Sequence, residues 1–270
     1  HRPQRRVLAY YTLAVLMLGP VAAQRMDFLP AAITLFSLWA FIEGRHKTAW
    51  GALALATLTK GYLVILAPLF LLVYLHQHLW RRVVTGGVVF TAVVAVVVLP
   101  FLLPDPRAFG DSVLYHVKRG VEVESNYAAA LMVGHLLGLG SLSTRFVPPS
   151  YDSVQRGQYG PQEIVSPLDP LLGWLSLALL LSSLGLAYLL FWKGLRPAAR
   201  PPEGAGDESS ESRLIRYALL VTLLFLLTSK VLSPQFLVWL VPLVPLLPDR
   251  RGVVVLALWV PVGFLTQYEY

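Results

Sequence analysis

Residues 83–103 and 167–192 are apolar from end to end and carry a single charge between them, Asp169. Crossing a hydrocarbon layer of ~30 Å takes roughly 20 residues at about 1.5 Å each, and both runs reach that length. Backbone groups in lipid must be satisfied within the segment, so such runs fold as helices. Further apolar runs at 7–23, 27–42, 48–60, 62–79, 214–229, 236–247 and 253–266 bring the expected spans to nine. The third and the eighth are short, on the order of 20 Å, and short helices in a bundle end at a cavity within the membrane depth. Only 14% of residues are charged and 56% are hydrophobic, against about a quarter charged in soluble domains. The expected fold class is an all-α membrane protein, a multi-span helical bundle.

The net charge of +7 does not form a stripe suited to nucleic acid. Basic residues sit instead in short clusters at 1–6, 44–47, 80–82, 193–200 and 249–251, between apolar runs. With alternating spans all five fall on one side, which the positive-inside rule makes cytoplasmic. Segment 194–213, rich in Pro, Glu, Gly and Ser, is then a cytoplasmic flexible linker. Segment 104–168 lies on the outer side as a polar, aromatic loop region with one or two short helices. No internal repeat is evident, so residues 1–270 read as a single transmembrane domain. The chain opens on His1 without a signal-peptide pattern, and the expectation is that N-terminal spans are missing. It has no cysteine, hence no disulfide framework or thiolate metal site.

The same topology collects the unusual polar residues on the outer face. They are Arg25 and Asp27 between the first two spans, and Lys60 followed by Gly61-Tyr62 after the third. After the fifth come Tyr115, His116, Lys118 and Arg119, then Glu122, Glu124 and Ser125. After the seventh comes Lys230, followed by Ser233-Pro234-Gln235. Each has a plain structural reading beside the functional one. Lys60 and Lys230 can snorkel to the interface, Arg25 and Asp27 can close a turn, and Glu122 and Glu124 stand at pairing distance from Lys118 and Arg119. His135, in an apolar stretch, reads as a packing residue, and His76 and His78 fall on the cytoplasmic side.

Several cations and carboxylates in a half-buried outer cavity suit a phosphate carried on a lipid. Arg offers a planar fork to phosphate oxygens and Lys a point charge. Sugar transfer from such a phosphate also needs a base for the acceptor hydroxyl and stabilisation of the leaving phosphate. No metal or cofactor is called for, since no His/Asp set has ligand spacing. No P-loop, dinucleotide turn or nucleophile elbow is present.

At these residues the chain resembles the GT-C fold glycosyltransferases that use polyprenyl-phosphate sugars, specifically glycosyltransferase family 87. The resemblance rests on Arg25-Met-Asp27, Leu58-Thr-Lys60-Gly-Tyr62 before Pro68, Tyr115-His116 with Arg119-Gly120 and Glu124-Ser125, and Lys230-Val-Leu-Ser-Pro-Gln235-Phe with Trp239 following. The last two blocks are the distinctive ones. The resemblance implies a GT-C-like bundle and a polyprenyl-phosphate donor, with mannose or arabinose transferred to a lipid or glycan acceptor at an extracytoplasmic site with inversion. On this reading Lys60, His116, Lys118, Arg119 and Lys230 bind the donor phosphate, and Arg25, Tyr115, Ser125 and Gln235 orient substrate. The family's catalytic acid lies in a first outer loop that this sequence does not display, which leaves Asp27 and Glu124 as catalytic candidates. Tyr127, Tyr151 and Tyr159 are placed to stack on a sugar face. Two other readings are a transporter or flippase of a lipid-linked substrate and an inactive structural subunit. The expected surroundings are membrane lipids, with no nucleic acid.

Overall fold

The computed structural model describes residues 2–24, 26–146, 162–195, 210–247 and 249–267. The architecture is all-α apart from one small sheet. The chain divides into two compact units, one of His1–Pro100, Leu184–Leu223 and Pro234–Tyr270, the other of Phe101–Ser183 and Leu224–Ser233.

The first unit opens with α1 (Arg2–Leu18) and α2 (Pro20–Gln24). The expected single span at 7–23 is broken at Gly19, which takes a left-handed φ of +50° and is followed by Pro20. That pairing ends one helix and opens the next. α3 (Phe28–Ile42) and α4 (His46–Thr59) form a tight hairpin, turned at Gly44 with φ +72°. Buried Ala40, Ala49, Ala52 and Ala56 leave room for close approach of the two backbones. Buried Ser37 donates its hydroxyl to the Ala49 carbonyl at 2.8 Å, tying the pair together.

The expected span at 62–79 begins instead as a 3-10 turn, Gly61–Leu66, before α5 (Ala67–His76). Pro68 lies in the first turn of α5, where its missing N–H costs nothing, but it could not have continued an α-helix from upstream. Next comes α6 (Trp80–Leu102), whose Gly86 lets the Trp50 indole lie directly on its backbone. The segment expected as a span at 236–247 is not an α-helix. It folds as 3-10 turns, Pro234–Trp239 and Val244–Leu246, because Pro234, Pro242 and Pro245 each remove a backbone donor. The chain closes with α11 (Asp249–Thr266), packed on α1 by the Trp259 indole donating to the Ala14 carbonyl at 3.1 Å.

In the second unit, α7 (Pro106–Lys118) starts with Asp105 accepting from the amides of Arg107 and Ala108 at 3.1 and 2.9 Å, and Pro106 occupies N1. α8 (Asn126–Leu136) follows. One or two short helices are expected in this segment from the sequence; the sheet is not. β1 (Val121–Glu122), β2 (Ser143–Phe146) and β3 (Gln162–Val165) pair antiparallel in the order β1-β3-β2. Val121, Tyr127, Ala128 and Ile164 form the core beneath it.

α9 (Asp169–Gly194) and α10 (Ser210–Thr228) each run through both units. Among the described residues, α6 and α9 are the two helices long and apolar enough to cross a membrane, and only 6% and 22% of their apolar stretches is buried in protein. Phe28–Ile42, Gly61–His76, Pro234–Leu246 and Gly252–Thr266 are shorter apolar segments. Most of the linker expected at 194–213 lies outside the described residues.

Candidate functional site

The polar residues singled out in the sequence fall into two groups, one in each unit. In the first unit Asp27 stands at the N-cap of α3 without capping it. Its carboxylate, 4% exposed, accepts from the Trp239 indole N–H at 2.7 Å and pairs with the Lys60 ammonium at 3.1 Å, both at Oδ1. Lys60 is the C-cap of α4, where a cation is favoured by the helix dipole. Its Nζ also lies 5.2 Å from the Phe236 ring centre and 5.6 Å from that of Trp239, within cation–π range. The Trp239 ring stacks with Tyr62 at 3.6 Å and with Phe236 at 4.2 Å. Gln235, half-buried, belongs to the same 3-10 turn as Phe236 and Trp239. Ion pair, indole and rings engage one another, so this group fixes the start of α3, the end of α4 and the 3-10 turn as a unit.

The second group is built around Arg119, the C-cap of α7. Its guanidinium meets the Glu122 carboxylate at 2.7 Å. Strand register places Glu122 directly opposite Glu163. Glu163 is 1% exposed and accepts from the Gly120 amide at 2.6 Å. A Cβ at position 120 would lie 2.6 Å from Glu163 Oε2, which is why glycine stands there. Two buried carboxyls facing each other across a ladder repel. Burial, reinforced by Glu124 and Glu163 and only partly offset by Arg119, pushes the Glu122 carboxyl up to about 7.

Lys230 completes this group. Its ammonium donates to the Arg119 carbonyl, and its own carbonyl accepts from the Glu122 amide at 3.0 Å. The last carbonyls of α10 hold it in place. A helix end leaves its final carbonyls without partners, and here side chains supply them. Thr228 accepts from Tyr127 at 2.9 Å and Ser176 at 2.8 Å, and Leu227 accepts from Asn126 at 2.9 Å.

Beside this group opens a cavity of about 620 Å³. His116, Arg119 and Lys230 line it together with the apolar face of α9 at Trp174, Leu177 and Leu180. Arg119 Nε is buried with no hydrogen-bond partner among the described residues, as is Glu122 Oε2.

Of the donor-phosphate residues expected from sequence, three therefore share this cavity and Lys60 belongs to the other unit. Lys118 is in the last turn of α7, but its side chain lies outside the described residues, as do Arg25, Tyr151 and Tyr159. Tyr115 is half-buried, its ring 5.2 Å from that of His116 in an edge-on contact. Ser125 is buried and caps α8 by accepting from the Ala128 amide at 3.2 Å. Glu124 is exposed. Tyr127 is buried with its hydroxyl committed to Thr228. His135 is bonded through Nδ1 to the Gly140 carbonyl at 2.6 Å.

Sequence reasoning did not single out Glu163, Ser176 or Trp174. Glu163 lies 43 residues from Gly120 and has no local signature; the other two are ordinary members of an apolar run. Among the described residues no three His, Asp or Glu side chains gather as metal ligands. No protein-family model, curated protein or solved structure matches the chain.

Proposed function

We propose that this chain is a multi-pass membrane glycosyltransferase of the GT-C type, moving a sugar, foremost mannose, from a polyprenyl phosphate to a lipid or glycan acceptor at the extracytoplasmic face. The observation that carries the reading is the cavity of the second unit, lined both by cations and by an apolar face of α9. That is the shape of a phosphate on a hydrocarbon chain. Arg119 brings a forked donor and Lys230 a point charge, while Trp174, Leu177 and Leu180 offer apolar surface to the isoprenoid. The largely unburied apolar surfaces of α6 and α9 support placement in lipid.

In the proposed reaction the acceptor hydroxyl attacks the anomeric carbon and the bond from that carbon to the phosphate oxygen breaks. The bonding pair leaves on the phosphate, whose charge Arg119 and Lys230 stabilise, and the hydroxyl proton passes to a carboxylate. Glu124, exposed at the turn before α8, is assigned that proton. Asp27, held by Lys60 and Trp239 in the first unit, is left outside this step.

The test is a transfer assay on purified full-length protein in detergent, with radiolabelled polyprenyl-phosphate mannose and a membrane lipid extract. Label should appear in a larger glycolipid and vanish in Arg119→Ala and Lys230→Ala, while both variants insert and melt cooperatively. Full activity in both variants would remove the site assignment. Absence of transfer from the mannosyl and arabinosyl donors by well-folded protein would overturn the enzyme reading in favour of a transporter or a structural subunit.

A further inference from the structure

A second cavity, of about 460 Å³, lies wholly within the first unit and is unrelated to the sites above. It forms where the end of α3, the start of α4, the end of α5, the start of α6, the residue after α9 and the start of α10 converge. Its charged lining is Arg82 and Arg213 against Glu211, and His46 and His76 add two imidazoles. The His46 ring is fixed through Nδ1 by the Tyr74 hydroxyl at 2.8 Å. The His76 ring is fixed edge-on against Trp192 at 5.3 Å, and its Nε2 is buried without a hydrogen-bond partner among the described residues. A buried ring nitrogen calls for one. Ser210, Glu211 and Arg213, from the first turn of the 19-residue α10, also line the cavity. Phe41, Ile42 and Leu214 supply an apolar side.

From this we infer that the cavity binds a phosphate ester, held by Arg82 and Arg213 with the imidazole of His46 beside it. The phosphate belongs either to an anionic lipid headgroup or to a soluble phosphate. Two guanidinium groups and the opening turn of a helix around one cavity call for an anion with several acceptor oxygens. The neighbouring apolar side suits the upper part of an acyl chain. The basic clusters at 44–47 and 80–82 border the same helix ends, as expected for the face that meets anionic headgroups.

The experiment is native mass spectrometry of the full chain in non-ionic detergent with phosphatidylglycerol or phosphatidylcholine added, repeated with millimolar inorganic phosphate. One phosphatidylglycerol per chain should persist at activation energies that strip phosphatidylcholine. Arg82→Ala should weaken retention about tenfold, the usual worth of a charge-assisted contact. Arg82→Lys should keep most of it, and Arg81→Ala, which does not line the cavity, should leave it unchanged. Displacement by inorganic phosphate would show that the phosphate group alone is the ligand; retention in its presence would show that the lipid is. Arg213→Gln serves as the second variant should Arg82→Ala fail to melt cooperatively. Equal retention of the two lipids with no protection by inorganic phosphate, or unchanged retention in folded Arg82 and Arg213 variants, would overturn the inference.

Discussion

The Asp27–Lys60 pair is unequal in burial, and that inequality fixes the order of two mutational effects. The Asp27 side chain is 5% exposed and that of Lys60 34%. Lys60→Met strands a carboxylate with one remaining donor, the Trp239 indole. Removing one partner of a fully buried pair costs roughly 3–5 kcal/mol. Because Lys60 is a third exposed and partly screened, the lower end applies, about 2–3 kcal/mol. Asp27→Asn is the milder change. The amide oxygen still accepts from Trp239, and the freed ammonium retains solvent and the Phe236 and Trp239 rings. A cost of about 1 kcal/mol follows, the net worth of one altered hydrogen bond. The double variant leaves no stranded charge, so it should be more stable than Lys60→Met alone, a clear departure from additivity. Chemical denaturation of the purified protein in mixed micelles gives all three values. Asp27→Asn costing as much as Lys60→Met, or additive effects in the double variant, would refute the claim that a buried carboxylate dominates this group.

Three further outcomes follow from the second unit. Glu122 is held at about 7 in the folded chain against 4.5 when unfolded, so its stabilising contribution is full below about pH 4.5 and is lost as pH rises through about 7. At ~1.4 kcal/mol per unit of pKa the ceiling is about 3 kcal/mol, and solvent screening at the partly open site reduces it to about 1–2 kcal/mol; denaturation across this range should slope downward, and Glu122→Gln should flatten the slope. Gly120→Ala places a methyl against Glu163 and should cost ~1–3 kcal/mol by overpacking, read as a lower melting temperature together with loss of sugar transfer. Tyr127→Phe alone should cost under ~1 kcal/mol because Ser176 still serves the Thr228 carbonyl; adding Ser176→Ala should cost more than the sum of the two single changes.

What was legible in the sequence follows the range of the forces involved. The helices at 28–42, 46–59, 80–102 and 169–194 match the apolar runs within two residues at almost every end, since a run of apolar residues is a local property. Elements set by backbone chemistry or by distant partners were not legible. The prolines of 234–245 turned an apolar run into 3-10 turns, and a two-residue strand such as Val121–Glu122 has no period to read. The charges of the candidate site stood out in sequence against an apolar background. Their partners did not: Trp239 lies 212 residues from Asp27, and Glu163 is brought to Gly120 by strand pairing alone.

That gap between visible charge and invisible partner separates the two groups of polar residues. A charge at the end of an apolar helix is either neutralised by the fold or kept for something that arrives later. Asp27 and Lys60 are neutralised: ion pair, indole and rings close on one another. Arg119 is not neutralised to the same degree, although Glu122 touches it. Burial, with Glu124 and Glu163 nearby, holds the Glu122 carboxyl above the ordinary carboxylate range, so it offsets Arg119 less than an ordinary carboxylate would. The Glu163 carboxylate bonds the Gly120 amide and the Lys230 ammonium the Arg119 carbonyl, so each meets a neutral partner and keeps its charge. Of these groups Arg119 and Lys230 line the cavity, whereas Glu122, Glu124 and Glu163 are not among its lining. On the proposed reading those two cations are what the donor phosphate meets, and the crowding of Glu122 against Glu163 and Glu124 weakens the one carboxylate paired with Arg119.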